Sequence, residues 1–334
     1  MSVTLADILA AQRVIRGQAD MTPLVPSPFL TQRAGHEVLL KLEIAQPIGA
    51  FKLRGALNAV MALPKGTAGV TCCSTGNHGR GVAYSARLRG LRAVICMSEL
   101  VPQAKIDGIR ALGAEVLIHG RSQDEAQEAA TRLVAEEGLV EIPPFDDPKV
   151  IAGQGIIGLE LLEARPDLNS ILVPLSGGGL AAGIAVAVKA MDPDIRVIGV
   201  SMDRGAAMHA ALAAGHPVAV DEVASLADSL GGGLGTDNRH TFALCREFLD
   251  ETVLVSEDDI RDAMQVLYYE DRMVAEGGAV VGIAALLTGK VTARGPVATV
   301  ITGRNPDMKM FTRIVTGQDV ALGDLVVKGK AYGA

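Results

Sequence analysis

Ser170-Ile171-Leu172-Val173-Pro174-Leu175-Ser176-Gly177-Gly178-Gly179-Leu180-Ala181-Ala182-Gly183 joins a short apolar, β-branched run to a small-residue segment through three consecutive glycines. A strand that ends in a glycine turn and feeds a helix is the repeating unit of an α/β protein. The uncharged run from Leu168 to Val188 approaches membrane-spanning length, but Pro174 and the triglycine split it, so it reads as a buried strand and helix.

The same alternation extends outward in both directions. Strands are expected at Val38-Leu42, Gly69-Cys73, Arg92-Met97, Glu115-Ile118, Arg196-Ser201, Val253-Val255 and Val297-Thr302. Segments of helical period separate them: Lys52-Ala62, Gly79-Arg89, Val101-Leu112, Ser122-Glu137, Gly155-Arg165, Leu180-Met191, Asp258-Val274 and Val280-Thr288, with Ser122 and Asp258 as candidate N-caps. The pattern predicts mostly parallel sheets. Two compositional seams, Leu63-Pro64-Lys65-Gly66 and Pro143-Pro144-Phe145-Asp146-Asp147-Pro148, bracket strand-helix units of their own. They predict a smaller α/β domain over 65–144 inserted into a large discontinuous domain of 1–64 and 145–334, with a cleft between the two.

With 334 residues and 49% hydrophobic content, the chain can bury a large core. Its net charge of -7, from 31 Lys+Arg against 38 Asp+Glu, gives nucleic acid or an anionic membrane little to hold. Cys72, Cys73, Cys96 and Cys245 show no paired C-x-x-C spacing, and Met1-Ser2-Val3-Thr4 begins no signal peptide, so a cytoplasmic location is expected. The histidines form no metal-ligating pair with one another or with the cysteines, and no Gly-x-Ser-x-Gly elbow is present.

Four segments have chemistry in them. In Pro47-Ile48-Gly49-Ala50-Phe51-Lys52-Leu53-Arg54-Gly55-Ala56, Lys52 stands at a turn into a helix, where it is either a surface charge or a Schiff-base nucleophile. Ser74-Thr75-Gly76-Asn77-His78-Gly79 follows a strand and opens a helix, a ready anion cradle or a capped turn. The triglycine turn lets a phosphate approach several N–H donors, though its spacing is not that of a dinucleotide fingerprint. Thr302-Gly303-Arg304-Asn305 leaves a strand at the end where α/β proteins bind ligands. Glu276-Gly277-Gly278-Ala279 either closes a turn or aims a carboxylate into the cleft, and Asp228 to Gly235 is rich enough in glycine for close ligand approach or simple mobility.

In this order, the Phe-Lys segment, the Ser-Thr-Gly-Asn loop, the triglycine turn and Thr-Gly-x-Asn resemble the pyridoxal-phosphate serine/threonine dehydratase family of fold type II, the tryptophan-synthase-β-like fold. By that resemblance Lys52 would carry pyridoxal 5'-phosphate covalently and serve as the base. Phe51 would flank the ring and Asn77 would bond its phenolic oxygen. Ser176, Gly177, Gly178, Gly179 and Leu180 would hold the phosphate, and Thr302 the pyridine nitrogen, with Glu276 counted among the cofactor contacts. Ser74, Thr75, Gly76, Asn77 and His78 would bind the substrate carboxylate, and the family implies a homodimer. A lysine in a desolvated pocket loses proton affinity, which suits it to these tasks. A hydroxyl at Thr302 would not keep the pyridine nitrogen protonated, which favours β-elimination over transamination.

Departures from the family pattern refine the expectation. Thr75 stands where related racemases carry an opposite-face serine base, which argues against racemisation. Gly199-Val200-Ser201-Met202 lacks the glutamate of metal-binding members, so no metal site is expected. The chain stops soon after Asn305, which suggests no regulatory domain and a catabolic role. The combined motifs look most like the hydroxyectoine-utilisation dehydratase branch. Arg80, Arg304 and the 231–235 loop would then accommodate a substrate larger and more polar than threonine. Threonine or serine dehydratase and 3-hydroxyaspartate ammonia-lyase use the same residues. A nicotinamide-dependent oxidoreductase and a non-catalytic amino-acid-binding module are the alternatives of another class.

Overall fold

The computed structural model describes residues 3–74, 76–99, 101, 103–235 and 237–333. Its strands, in chain order, are β1 (Leu24–Pro26), β2 (Val38–Leu42), β3 (Val70–Cys73), β4 (Ala93–Met97), β5 (Glu115–Ile118) and β6 (Val140–Glu141). They continue with β7 (Ser170–Pro174), β8 (Arg196–Met202), β9 (Glu251–Val255), β10 (Val297–Ile301), β11 (Val320–Leu322) and β12 (Leu325–Val327). A six-stranded sheet has the order β1-β2-β10-β7-β8-β9, parallel except for β1 against β2. A four-stranded sheet, β5-β4-β3-β6, is parallel throughout, and β11 and β12 form a hairpin.

Central parallel strands are covered on both faces, so they are apolar at nearly every position rather than at alternate ones. β7 and β10 are buried along their whole length. Successive residues feed two different cores: Ile171, Val173, Ala298 and Val300 pack on one face of the sheet, Leu172, Val297 and Ile301 on the other. Each of these valine, leucine and isoleucine side chains contributes about 1.5–3 kcal/mol by leaving water. A charge at Leu172, between neighbours on both sides, would remove that term and strand an ion in the core.

Three helices lock the interior around the site. Lys52–Met61, Pro148–Ala164 and Gly179–Met191 approach so closely that side chains are excluded at their crossings. A Cβ on Gly153 would sit 2.6 Å from the Arg54 carbonyl oxygen, and one on Gly183 would sit 2.4 Å from that of Ile151. The helix that begins with Lys52 is therefore held backbone to backbone against its neighbour.

Several boundaries differ from expectation, two of them for a visible reason. The helix expected from Gly155 starts at Pro148, where Asp147 accepts from the N–H groups of Lys149 and Val150 and proline occupies the first turn. The helix Glu257–Tyr269 is capped by Ser256, not Asp258, through a reciprocal bond with Asp259. Among the described residues no helix is long and apolar enough to cross a membrane, no disulfide forms, and no cluster of metal-ligating side chains occurs.

Candidate active site

The C-terminal ends of β3, β7 and β10 open onto one cavity of about 1070 Å³. Parallel strands place ligand sites at that end because the loops leaving it converge. Lys52, Phe51, Ser74, Gly76, Asn77, His78, Arg80, Ser176, Gly177, Gly178, Gly179, Leu180, Glu276, Thr302 and Arg304 all line it. Thr75 lies outside the described residues.

Lys52 Nζ donates to the Pro144 carbonyl oxygen at 2.6 Å and stands 5.4 Å from the centre of the Phe51 ring. Burial lowers its pKa to about 8, against a small opposing effect of the Cys72 thiol. The amine is therefore within reach of deprotonation near neutral pH.

At the triglycine turn the N–H groups of residues 176–180 donate to no described acceptor. They are the unpaired amides that a turn and helix start leave behind. The glycines answer to packing as well as to ligand approach. A Cβ on Gly177 would lie 2.4 Å from Phe145 Cδ1, and one on Gly178, at φ +88, would lie 2.6 Å from Met208 Cε.

Asn77 is held from two sides. Its Nδ2 donates to both Glu276 carboxylate oxygens, at 2.9 and 3.0 Å, and its Oδ1 accepts from Asn305 Nδ2 at 2.7 Å. Burial raises the Glu276 pKa against the bonds from Asn77 and the Asn305 amide. Glu276 thus engages Asn77 and the 303–305 turn: the Asn305 N–H donates to it at 2.8 Å, and a Cβ on Gly303 would sit 2.8 Å from its Oε1. Thr302 is buried, and its carbonyl accepts from the Phe51 N–H at 3.0 Å, which ties the strand end to the lysine loop.

The side chain of His78 is engaged by the protein itself. Its Nε2 donates to the Ile142 carbonyl oxygen at 2.7 Å, and burial together with the Lys52 charge lowers its pKa to about 3. The ring is neutral and turned to the β6 loop. Ser74 Oγ accepts from the N–H groups of Gly76 and Gly79, which shapes the cradle and leaves its own proton available. Arg304 is exposed at the rim, where a Cβ on Gly49 would lie 3.0 Å from its Cγ, apart from the deeper Arg80.

Phe145, Pro144, Asn305, Gln154, Lys105 and Asp228 also line the cavity. Two of these belong to the Pro143–Pro148 seam, where a run of prolines reads as a boundary. Of the rest, Asn305 and Asp228 stand in segments that the sequence singles out, Gln154 is a polar residue amid an apolar helical stretch, and Lys105 carries no signal.

An α/β scaffold that brings a low-pKa amine, a row of unpaired amides and a fixed asparagine-glutamate pair to one cavity defines an enzyme built for a phosphate-bearing aldehyde. The residues fit that group: the amides match the phosphate and Lys52 matches the aldehyde. The profile of the family described as pyridoxal-phosphate dependent enzyme matches residues 15–303. A Sinorhizobium fredii protein whose own name offers threonine dehydratase provisionally is 54% identical over 95% of this chain and 96% of that one. The L-threonine ammonia-lyase of Thermotoga maritima is 42% identical over 94% and 78%. The structure of maize serine racemase superposes with TM-score 0.89 at 30% identity, covering 94% of this chain and 97% of that one. The chain belongs to the pyridoxal-phosphate-dependent enzyme family, in its fold type II architecture, and is a lyase that uses this cofactor.

Proposed function

We propose that the protein is an ammonia-lyase that removes the β-hydroxyl and the amino group of a β-hydroxy-α-amino acid, the substrate class to which threonine and serine belong. The observation that carries this reading is the Lys52 amine, lowered to about 8, sharing a cavity with the unpaired amides of residues 176–180. Bound pyridoxal phosphate supplies the electron sink that makes the Cα proton removable. Lys52 holds the cofactor and, once released, takes that proton. The amides of 176–180 bind the phosphate, while Phe51 and the pinned Asn77 fix the ring. Thr302 offers the pyridine nitrogen a neutral hydroxyl. The loop from Ser74 to Asn77 receives the substrate carboxylate on backbone amides and the Ser74 proton.

The test begins with the purified holoenzyme. It should absorb in the visible, lose that band to borohydride, and yield a digest with the pyridoxyl group on Lys52. Lys52→Ala should lack the adduct and release ammonia at least about 1,000-fold more slowly. Ammonia release from Lys52→Ala at the wild-type rate would sink the reading.

A finer assignment places the substrate on the route of hydroxyectoine breakdown. It is favoured by the size of the cavity and its polar rim of Arg304, Asp307 and Lys309. A panel of threonine, serine, 3-hydroxyaspartate and hydroxyectoine-derived β-hydroxy amino acids separates these substrates. Chiral analysis of recovered serine reports any racemisation. The same reading takes the protein as a cytoplasmic homodimer whose 65–144 domain forms one wall of the cleft, with sedimentation velocity as the check on the dimer.

A further inference from the structure

Arg80 occupies the first turn of the helix Asn77–Arg89, three residues beyond Asn77, and lines the cavity. Its guanidinium accepts no help from the protein. Among the described residues it forms neither an ion pair nor a hydrogen bond, and its Nε is shielded from solvent without a partner. Of the other cations that line the cavity, Lys52 donates to the Pro144 carbonyl and Lys105 faces Asp228 at 3.6 Å, while Arg304 and Lys309 are exposed at the rim.

Arg80 is also wedged. The helix Gln103–Arg110 crosses it at Gly108, where a Cβ would lie 2.5 Å from Arg80 Nη1. Arg80 is half-buried: its Nε is closed off from solvent, and its Nη1 lies beside a helix that has no side chain at the contact. A half-buried guanidinium with its Nε closed off and unpaired gains a partner when an anion reaches it, and its planar fork suits a carboxylate.

Two anions are already provided for in the proposed lyase reading, on which this inference rests. The phosphate falls to the amides of 176–180, and the substrate α-carboxylate to the loop from Ser74 to Asn77. Arg80 is in excess of both. We propose that Arg80 forms a subsite for a second carboxylate on the substrate side chain, so that dicarboxylic β-hydroxy amino acids are preferred over threonine. The methyl of threonine would leave the guanidinium unpaired, while the side-chain carboxylate of 3-hydroxyaspartate would satisfy it. Arg304 and Lys309, with Asp307 between them in sequence, leave the rim net positive, which attracts such a dicarboxylate without selecting its shape.

The test uses the holoenzyme with two readouts. In calorimetry, aspartate, which has the second carboxylate and no β-hydroxyl, should bind at least about tenfold more tightly than the neutral 2-aminobutyrate, and Arg80→Gln should abolish that difference. In ammonia release, the ratio of kcat/KM for 3-hydroxyaspartate over that for threonine should fall about 100-fold in Arg80→Gln. Arg80→Lys should recover part of it, because lysine keeps the charge and loses the fork. Equal losses on both substrates would overturn the subsite and give Arg80 to a group they share. Weakened cofactor retention in the same variant would identify that group as the phosphate. Should no β-hydroxy amino acid release ammonia while aspartate binding still depends on Arg80, the lyase reading fails and the subsite stands.

Discussion

Lys52 holds its proton less tightly than a free lysine because the cavity withholds water from the ammonium. Capture of the cofactor needs the unprotonated amine. The rate of reconstitution of apoenzyme with pyridoxal phosphate should therefore rise about tenfold per pH unit up to about pH 8 and level off above it. A rate still climbing through pH 10 would show an ordinary lysine. His78 makes the companion case in acid. Its folded pKa, about 3, lies below its ordinary 6.5, so the unfolded chain binds a proton that the folded one refuses between those values. Stability from this residue is complete above about pH 6.5 and is lost as the pH falls toward 3, by up to a few kcal/mol. Urea unfolding between pH 7 and 4 should show a shallower loss in His78→Gln, and identical slopes would refute the assignment. The two residues also mark what the chain discloses by itself. A lysine after phenylalanine and before a helix is conspicuous in the sequence, and so is an asparagine in a Ser-Thr-Gly-Asn loop. That the His78 ring turns to Ile142, or that Asn77 spends its amide on Glu276 about 200 residues away, depends on long-range packing and leaves no local pattern.

The triglycine turn shows the same limit at the level of elements. Its strand, turn and helix are legible because apolar runs, glycine and small residues change period in the right places. Its dependence on Phe145 is hidden, since Phe145 lies in a proline-rich seam that reads as a border between domains. The seam's last two residues are in fact a helix start, with Asp147 as cap and Pro148 in the first turn. β1, β6 and the β11–β12 hairpin escape notice because two or three residues give no measurable periodicity. The packing leads to a rescue experiment. Gly177→Ala drives a methyl into the Phe145 ring, and overpacking of this kind costs about 1–3 kcal/mol, or about 10–100-fold in cofactor affinity. Phe145→Ala in the same chain removes the obstacle, so the double variant should bind pyridoxal phosphate more tightly than Gly177→Ala alone. If the second substitution fails to recover binding, the glycine serves the phosphate and not the ring.

Across the whole molecule, the site rests on a buried group of four charges that join the large sheet to the helices beneath it. Arg54, two residues after Lys52, donates to Glu43 at 2.8 Å and to Glu160 at 2.7 Å, and Lys41 on β2 donates to Glu160 at 2.5 Å. All four side chains are at most 5% exposed, and their charges cancel. Burial works against the charge on Arg54 and on Glu43, and the mutual attraction outweighs it, raising the arginine's pKa and lowering the carboxyl's. Such a network adds little net stability over an apolar core, but losing one member leaves a partner charged and unpaired. Arg54→Met therefore faces two carboxylates with one lysine and should destabilise the protein by about 3–5 kcal/mol, read by chemical unfolding of the apoenzyme. Glu160→Gln removes one of those carboxylates. The double variant should lose clearly less than the sum of the two single ones, by about 1–3 kcal/mol. Additive losses would mean that the two residues act separately. With coupling, the Lys52 helix would be fixed by a charge balance spanning β2, the turn at Glu43 and the helix Pro148–Ala164, which is the framework that presents the amine to the cavity.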